Sequence, residues 1–104
     1  MRRGEVWWIT FPGAAGRRPG VLISRSQAYR VRTGVTVVPL TRKIRHIRAE
    51  VALGPADGIP HSSVANTDDI TTVQKSRVEE YLAALSSEKL EELERAIKFA
   101  LDLS

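Results

Sequence analysis

The side chains that could do chemistry in this chain of 104 residues are few. It has no cysteine, which excludes disulfides, thiolate metal sites and a cysteine nucleophile. Its two imidazoles, His46 and His61, lie in separate loop-like stretches, with neither His-x-x-x-His spacing nor a carboxylate cluster beside them. That pattern predicts no metal site. Gly13 and Gly16 lead into Arg17-Arg18-Pro19 and a strand, where a Walker or dinucleotide loop would lead into a helix, so no nucleotide cofactor is indicated. No Ser-His-Asp set is recognisable. Two patterns remain: Arg18, which would project from a rim with its backbone restrained by Pro19, and Thr41, which ends the apolar run Val37-Val38-Pro39-Leu40 and opens a basic stretch. Guanidinium is a permanently charged planar fork that matches a phosphate, and a hydroxyl can donate or accept beside it. Taken singly, each also reads as an ordinary turn residue.

The charge distribution points the same way. Residues 1 to 48 carry ten arginines and one lysine against Glu5 alone, a net +10, whereas residues 49 to 104 hold five basic and eleven acidic side chains, a net −6. An arginine-rich half suggests a polyanionic partner, nucleic acid before others. Asp68 and Asp69 belong to the acidic half by count.

The elements that must position these residues follow from period and punctuation. Glu5–Thr10 reads as a strand stopped by Phe11-Pro12-Gly13, and 13–19 as a flexible basic loop. Val21–Ser24 and Val35–Leu40 read as strands, with Pro39 marking an edge, bulge or end, and residues 25–33 leave room for one helical turn. Residues 41–48 form a basic connection, Ala49–Leu53 a strand and Gly54–Gly58 a turn. Ser63–Asn66 and Ile70–Val73 are further strands, while 78–85 fits helix or strand. Leu90, Leu93, Ile97, Ala100 and Leu101 repeat at three and four, which predicts a terminal helix capped by Ser86. Trp7 and Trp8 must point to opposite sides of their strand, one expected in the core and the other on the barrel surface or a dimer contact. The pattern is one domain spanning 1–104, a small β-barrel or sheet with a helix packed on it. No apolar run approaches the roughly 20 residues needed to cross a bilayer, and a cytoplasmic protein is expected.

Several motifs, in order along nearly the whole chain, resemble the MazF and PemK/Kid family of bacterial toxin endoribonucleases. They are Arg3-Gly4-Glu5-Val6-Trp7, Arg17-Arg18-Pro19 with Val21-Leu22-Ile23, Val38-Pro39-Leu40-Thr41, Ser63-Val64-Ala65-Asn66, Thr72-Val73-Gln74-Lys75-Ser76-Arg77 and Leu85-Ser86-Ser87-Glu88-Lys89-Leu90. The resemblance implies an SH3-like β-barrel with a C-terminal helix and a homodimer. It also implies metal-independent, sequence-specific cleavage of single-stranded RNA, in which 2′-hydroxyl attack leaves 2′,3′-cyclic phosphate and 5′-hydroxyl ends and so inhibits translation and growth. The family's catalytic arginine and threonine fall on Arg18 and Thr41, and Asp68, by analogy, would be a base or a substrate-orienting group. Arg17, Arg25, Arg42, Lys43, Arg45 and Arg48 are the candidate RNA-binding cations, and Asp69 a candidate for reading a base amino group near the groove. The resemblance further implies a cognate antitoxin of the MazE kind, whose acidic disordered tail would compete for that groove. Asp69 and Thr71 stand where many relatives carry an amide and an arginine, so an altered sequence preference is expected. Two other readings stay open: a toxin of this fold that inhibits DNA gyrase without catalysis, as CcdB does, and a non-catalytic RNA-binding module.

Overall fold

A computed structural model describes residues 1–104. Seven strands and two helices follow in the order β1 (Glu5–Phe11), β2 (Gly16–Leu22), α1 (Ala28–Val31), β3 (Gly34–Thr41), β4 (Glu50–Leu53), β5 (Ser63–Asn66), β6 (Thr71–Gln74), β7 (Val78–Ala84) and α2 (Ser87–Ala100). Every pairing is antiparallel, and the hydrogen-bonded order β4-β5-β3-β2-β1-β7, with β6 also on β3, stays open between its ends. The architecture is thus the expected small barrel-like sheet with a C-terminal helix.

β3 is the hub. On one side Val37–Pro39 pairs with Leu22–Gly20 of β2; on the other, Gly34–Val37 pairs with β6 and Leu40–Thr41 with β5. Pro39 lies in the gap where that second partner changes, which suits a residue with no N–H to give. It therefore marks neither the end of β3 nor its edge. The stretch 13–19 departs from the expected flexible loop. Only Gly13–Ala15 forms a turn, and from Gly16 the chain is already β2, with Arg17, Arg18 and Pro19 opposite Thr10, Ile9 and Trp8. Pairing with β3 begins only at Gly20, so Pro19 has a strand neighbour on one side alone.

The ambiguous stretch 78–85 is strand. β7 zips onto β1 from Val78 to Ala84 with two register shifts, and this pairing overrides a composition that leans to helix. Ser86 then starts α2, its Oγ accepting the Lys89 N–H at 3.1 Å.

Two apolar clusters fill the two faces of the β1–β2–β3 sheet. The cross-strand neighbours Val6, Val21 and Val38 share one cluster with Leu40, Val51 and α2's Leu93 and Ala96. Ile9, Phe11, Leu22 and Val37 share the other with Tyr29, Val73 and Val78. Neither tryptophan is buried, which corrects the expectation that one is core. Trp7 packs partly against the second cluster, edge-on to Tyr81 with ring centroids 5.9 Å apart, and Trp8 lines a surface cleft. Gly20 is needed where β2 crosses the packed side chain of Ile9, because a Cβ there would sit 2.7 Å from Ile9 Cδ1. Gly4, at φ +92°, turns the N-terminal segment so that its N–H reaches the Leu22 carbonyl and its carbonyl the Leu85 N–H. No helix is long and apolar enough to cross a membrane.

Candidate active site

A cleft of about 490 Å³ opens where β1, β2 and the end of β3 meet the loop before β5. β1 contributes Trp8; β2 contributes Arg17, Arg18 and Pro19; β3 and the residues after it contribute Leu40, Thr41, Arg42 and Lys43. Ile59, Pro60, His61 and Ser63 close the opposite wall. Antiparallel pairing explains the assembly. Val64 of β5 is registered on Thr41, which brings the residues just before β5 beside the end of β3.

The two adjacent arginines have different partners. Arg17 stacks its guanidinium over the Trp8 ring, 4.8 Å from the centroid, because the pairing of Trp8 with Pro19 and Thr10 with Arg17 makes the two diagonal neighbours. It is also held by Glu79 at 3.4 Å and Glu80 at 3.1 Å. Arg18 meets no carboxylate. Its Nε and Nη2 donate to the Ala15 carbonyl at 3.1 and 2.9 Å, which orients the fork and leaves Nη1 without a protein acceptor. Thr41 Oγ1 accepts the Lys43 N–H at 3.1 Å, a local turn bond that fixes the hydroxyl oxygen and leaves its proton to donate. The wall holds four cations and no carboxylate. Oxygen donors for a hard divalent ion are thus scarce, while an anion meets little competition.

Of the candidate residues, Arg17, Arg18, Thr41, Arg42 and Lys43 come together here. The others lie elsewhere. Arg25 is exposed in the turn before α1; Arg45 gives its backbone N–H to Glu50 at 3.0 Å; Arg48 lies over Phe99, 4.2 Å from the ring centroid. Asp68 and Asp69, expected near the groove, do not line this cleft. They sit on the turn after β5, which the Asn66 side chain pins by accepting the Asp68 N–H and donating to Asp69 Oδ2. Buried Thr67 fastens that turn to the Ala49 carbonyl at 2.6 Å, with Ala96 of α2 alongside.

Trp8, His61 and Ser63 are cleft residues that sequence reasoning left out. For His61 and Ser63 the signal was the Ser63-Val64-Ala65-Asn66 strand, whose pairing with β3 carries them to Thr41. For Trp8 it was the β1–β2 register, which spacing alone does not supply.

Comparison with known proteins places nearly the whole chain in one family. Residues 2–101 match the model of the PemK-like, MazF-like toxin of type II toxin–antitoxin systems. Among curated relatives, the probable endoribonuclease MazF5 of Mycobacterium tuberculosis is 35% identical, over 98% of this chain and 94% of its own. The endoribonuclease MazF9 of the same organism is 31% identical, over 99% and 98%. Among solved structures, an endoribonuclease in complex with its cognate antitoxin from a mycobacterial species superposes with a TM-score of 0.89 at 30% identity, covering 100% of this chain and 97% of that one. MazF from Deinococcus radiodurans superposes with a TM-score of 0.85 at 26% identity, covering 99% and 97%. The chain therefore belongs to the PemK-like, MazF-like family of toxins of type II toxin–antitoxin systems.

Proposed function

We propose that the protein is an endoribonuclease that cuts single-stranded RNA by attack of a 2′-hydroxyl on the adjacent phosphorus, without a metal ion. The O2′–P bond forms, the P–O5′ bond breaks, and the products carry 2′,3′-cyclic phosphate and 5′-hydroxyl ends. The observation that supports this reading is the Arg18 fork, oriented by the Ala15 carbonyl and free of any carboxylate partner, beside Thr41 in a cleft with no carboxylate. Arg18 would neutralise the charge that grows on the phosphoryl oxygens, the oxyanion-stabilising role that is often the largest catalytic contribution. Thr41 would donate to the scissile phosphate or orient the 2′-hydroxyl. Arg42 and Lys43 extend the positive wall along the neighbouring phosphates. No step is assigned to Asp68 or Asp69, which lie outside the cleft of a single subunit.

The relatives support the wider reading. MazF9 and the mycobacterial structure are named as endoribonucleases and MazF5 as a probable one, and the mycobacterial protein was solved with its cognate antitoxin. The toxin would thus act in the bacterial cytoplasm, inhibit translation and growth, and be silenced by an antitoxin whose acidic disordered tail occupies the same basic wall. It would work as a homodimer, with the exposed Phe99, Leu101 and Leu103 at the end of α2 available to cover one another.

The test is incubation of the purified protein with long RNA in EDTA, followed by mapping of 5′-hydroxyl ends. Cleavage at a short recurring sequence is expected. RNA left intact across varied substrates would overturn the nuclease reading and move the function to a non-catalytic toxin of the same fold.

A further inference from the structure

The proposed reaction must move two protons: one leaves the 2′-hydroxyl, and one arrives on the departing 5′-oxygen. Most of the cleft cannot accept the first. Guanidinium and ammonium groups, the charged side chains of Arg17, Arg18, Arg42 and Lys43, only donate; hydroxyls such as those of Thr41 and Ser63 are poor bases, and the Trp8 indole only donates. Imidazole is the one side chain in that wall of a type that exchanges a proton near neutrality.

His61 is also placed for the task. Ile59, 2% exposed, anchors its loop in the core, and the Ser63 hydroxyl donates to the His61 carbonyl at 2.9 Å. These contacts hold the backbone while the exposed ring makes no hydrogen bond to the protein. The charged groups sharing the cleft are Arg17 and Arg18 from β2 and Arg42 and Lys43 after β3; Glu79 and Glu80 of β7 are engaged on Arg17 at the rim. The other imidazole, His46, lies outside the cleft, where its backbone N–H donates to Glu50 at 3.0 Å.

Resting on the nuclease reading, we propose that His61 is the catalytic general base. A neutral ring nitrogen takes the 2′-hydroxyl proton as O2′ bonds to phosphorus; the P–O5′ bond breaks, O5′ leaves with a proton from solvent water, and the imidazolium returns its proton to solvent. Arg18 holds the phosphoryl charge throughout.

Single-turnover cleavage of a short single-site RNA as a function of pH tests this. Wild type is expected to gain rate with unit slope on the acid side and reach a plateau as imidazole loses its proton. His61→Ala and His61→Gln should lose that slope and fall on the order of 10²-fold at the plateau, within the usual span for a general base. Added imidazole should partly rescue the alanine variant. Binding of a non-cleavable 2′-deoxy analogue and the melting temperature should not move, and His46→Gln should match wild type. An RNA whose 5′ bridging oxygen is sulfur, which leaves without protonation, should show the same His61 defect. A retained pH slope in the His61 variants overturns the proposal, and so does a defect that vanishes with the sulfur leaving group, which would make His61 the acid. No cleavage by wild type would instead defeat the nuclease reading itself.

Discussion

Arg17 and Arg18 are adjacent and chemically identical, yet the fold gives them different work. Arg17 is stacked on Trp8 and flanked by Glu79 and Glu80, whereas Arg18 has only the Ala15 carbonyl to orient it. Arg18→Ala is therefore expected to lower single-turnover RNA cleavage by roughly 10²- to 10³-fold, the usual loss for an oxyanion-stabilising donor, with little change in melting temperature. Thr41→Val should cost less, since it removes one hydroxyl and a turn bond. Quench-flow rates beside thermal melts check both; equal losses in the two measurements would make either residue structural. That Arg18 and Thr41 share one cleft was legible from Pro19, the run ending at Thr41 and the family resemblance. The division of labour between the arginines was not, because Glu79 and Glu80 reach Arg17 only after β7 pairs with β1. Tyr29 carries a separate prediction. Burial pushes its phenol from 10.0 up to about 12, with Arg3 opposing the shift, and its hydroxyl donates to the Ser24 carbonyl at 3.0 Å. The folded state keeps a proton that the unfolded chain sheds, so this contribution is complete below pH 10 and is lost as pH rises toward 12. Tyr29→Phe should cost about 1 kcal/mol near neutrality through the lost hydrogen bond. It should also flatten the alkaline decline, as read from urea midpoints across that window.

At the scale of elements, the strands rich in valine and the α2 repeat were readable because their patterns match the faces they bury. β1 to β3 alternate between two clusters, and α2 turns Leu93 and Ala96 inward. Where the sequence misled or left the element open, pairing decided against local composition. Gly13–Pro19 has the look of a loop, yet β1 was free to take Gly16–Leu22 as its partner; Val78–Ala84 favours helix, yet β1's other edge needed a strand. The position of Asp68 and Asp69 outside the single-subunit cleft was not legible for a related reason, since nothing in their spacing shows that Asn66 and Thr67 fasten their turn beside α2. β1 and β2 pack closely at Gly20, where Pro39 and Trp7 flank it across both strands. Gly20→Ala would push against Ile9, which is fully buried, and should destabilise by about 1–3 kcal/mol. Because Gly20 follows Pro19 in β2, cleavage should fall with stability and recover on cooling, a pattern that Arg18→Ala should not show.

At the scale of the whole molecule, the body measures 33 × 31 × 26 Å, several times the ~8 Å screening length at physiological salt. The arginine-rich wall and the glutamates of α2 can therefore present separate fields even though the net charge is only +4. RNA affinity should fall log-linearly with salt, and removing both cations in Arg42→Ala/Lys43→Ala should make the slope shallower by about 1.4 if each neutralises one phosphate. An unchanged slope in filter binding would take both residues off the RNA. The ties between the first residues and the last third of the sequence have a consequence in time. Gly4 hydrogen-bonds to Leu22 and Leu85, Arg3 pairs with Glu94, and β1 lies between β2 and β7. Every cleft residue is translated by Ser63, but the strand bearing Trp8 lacks its second neighbour until Ala84 emerges, and its helical backing until α2 follows. Translation therefore lays down the whole lining of the cleft well before the strand and helix that hold β1 in place.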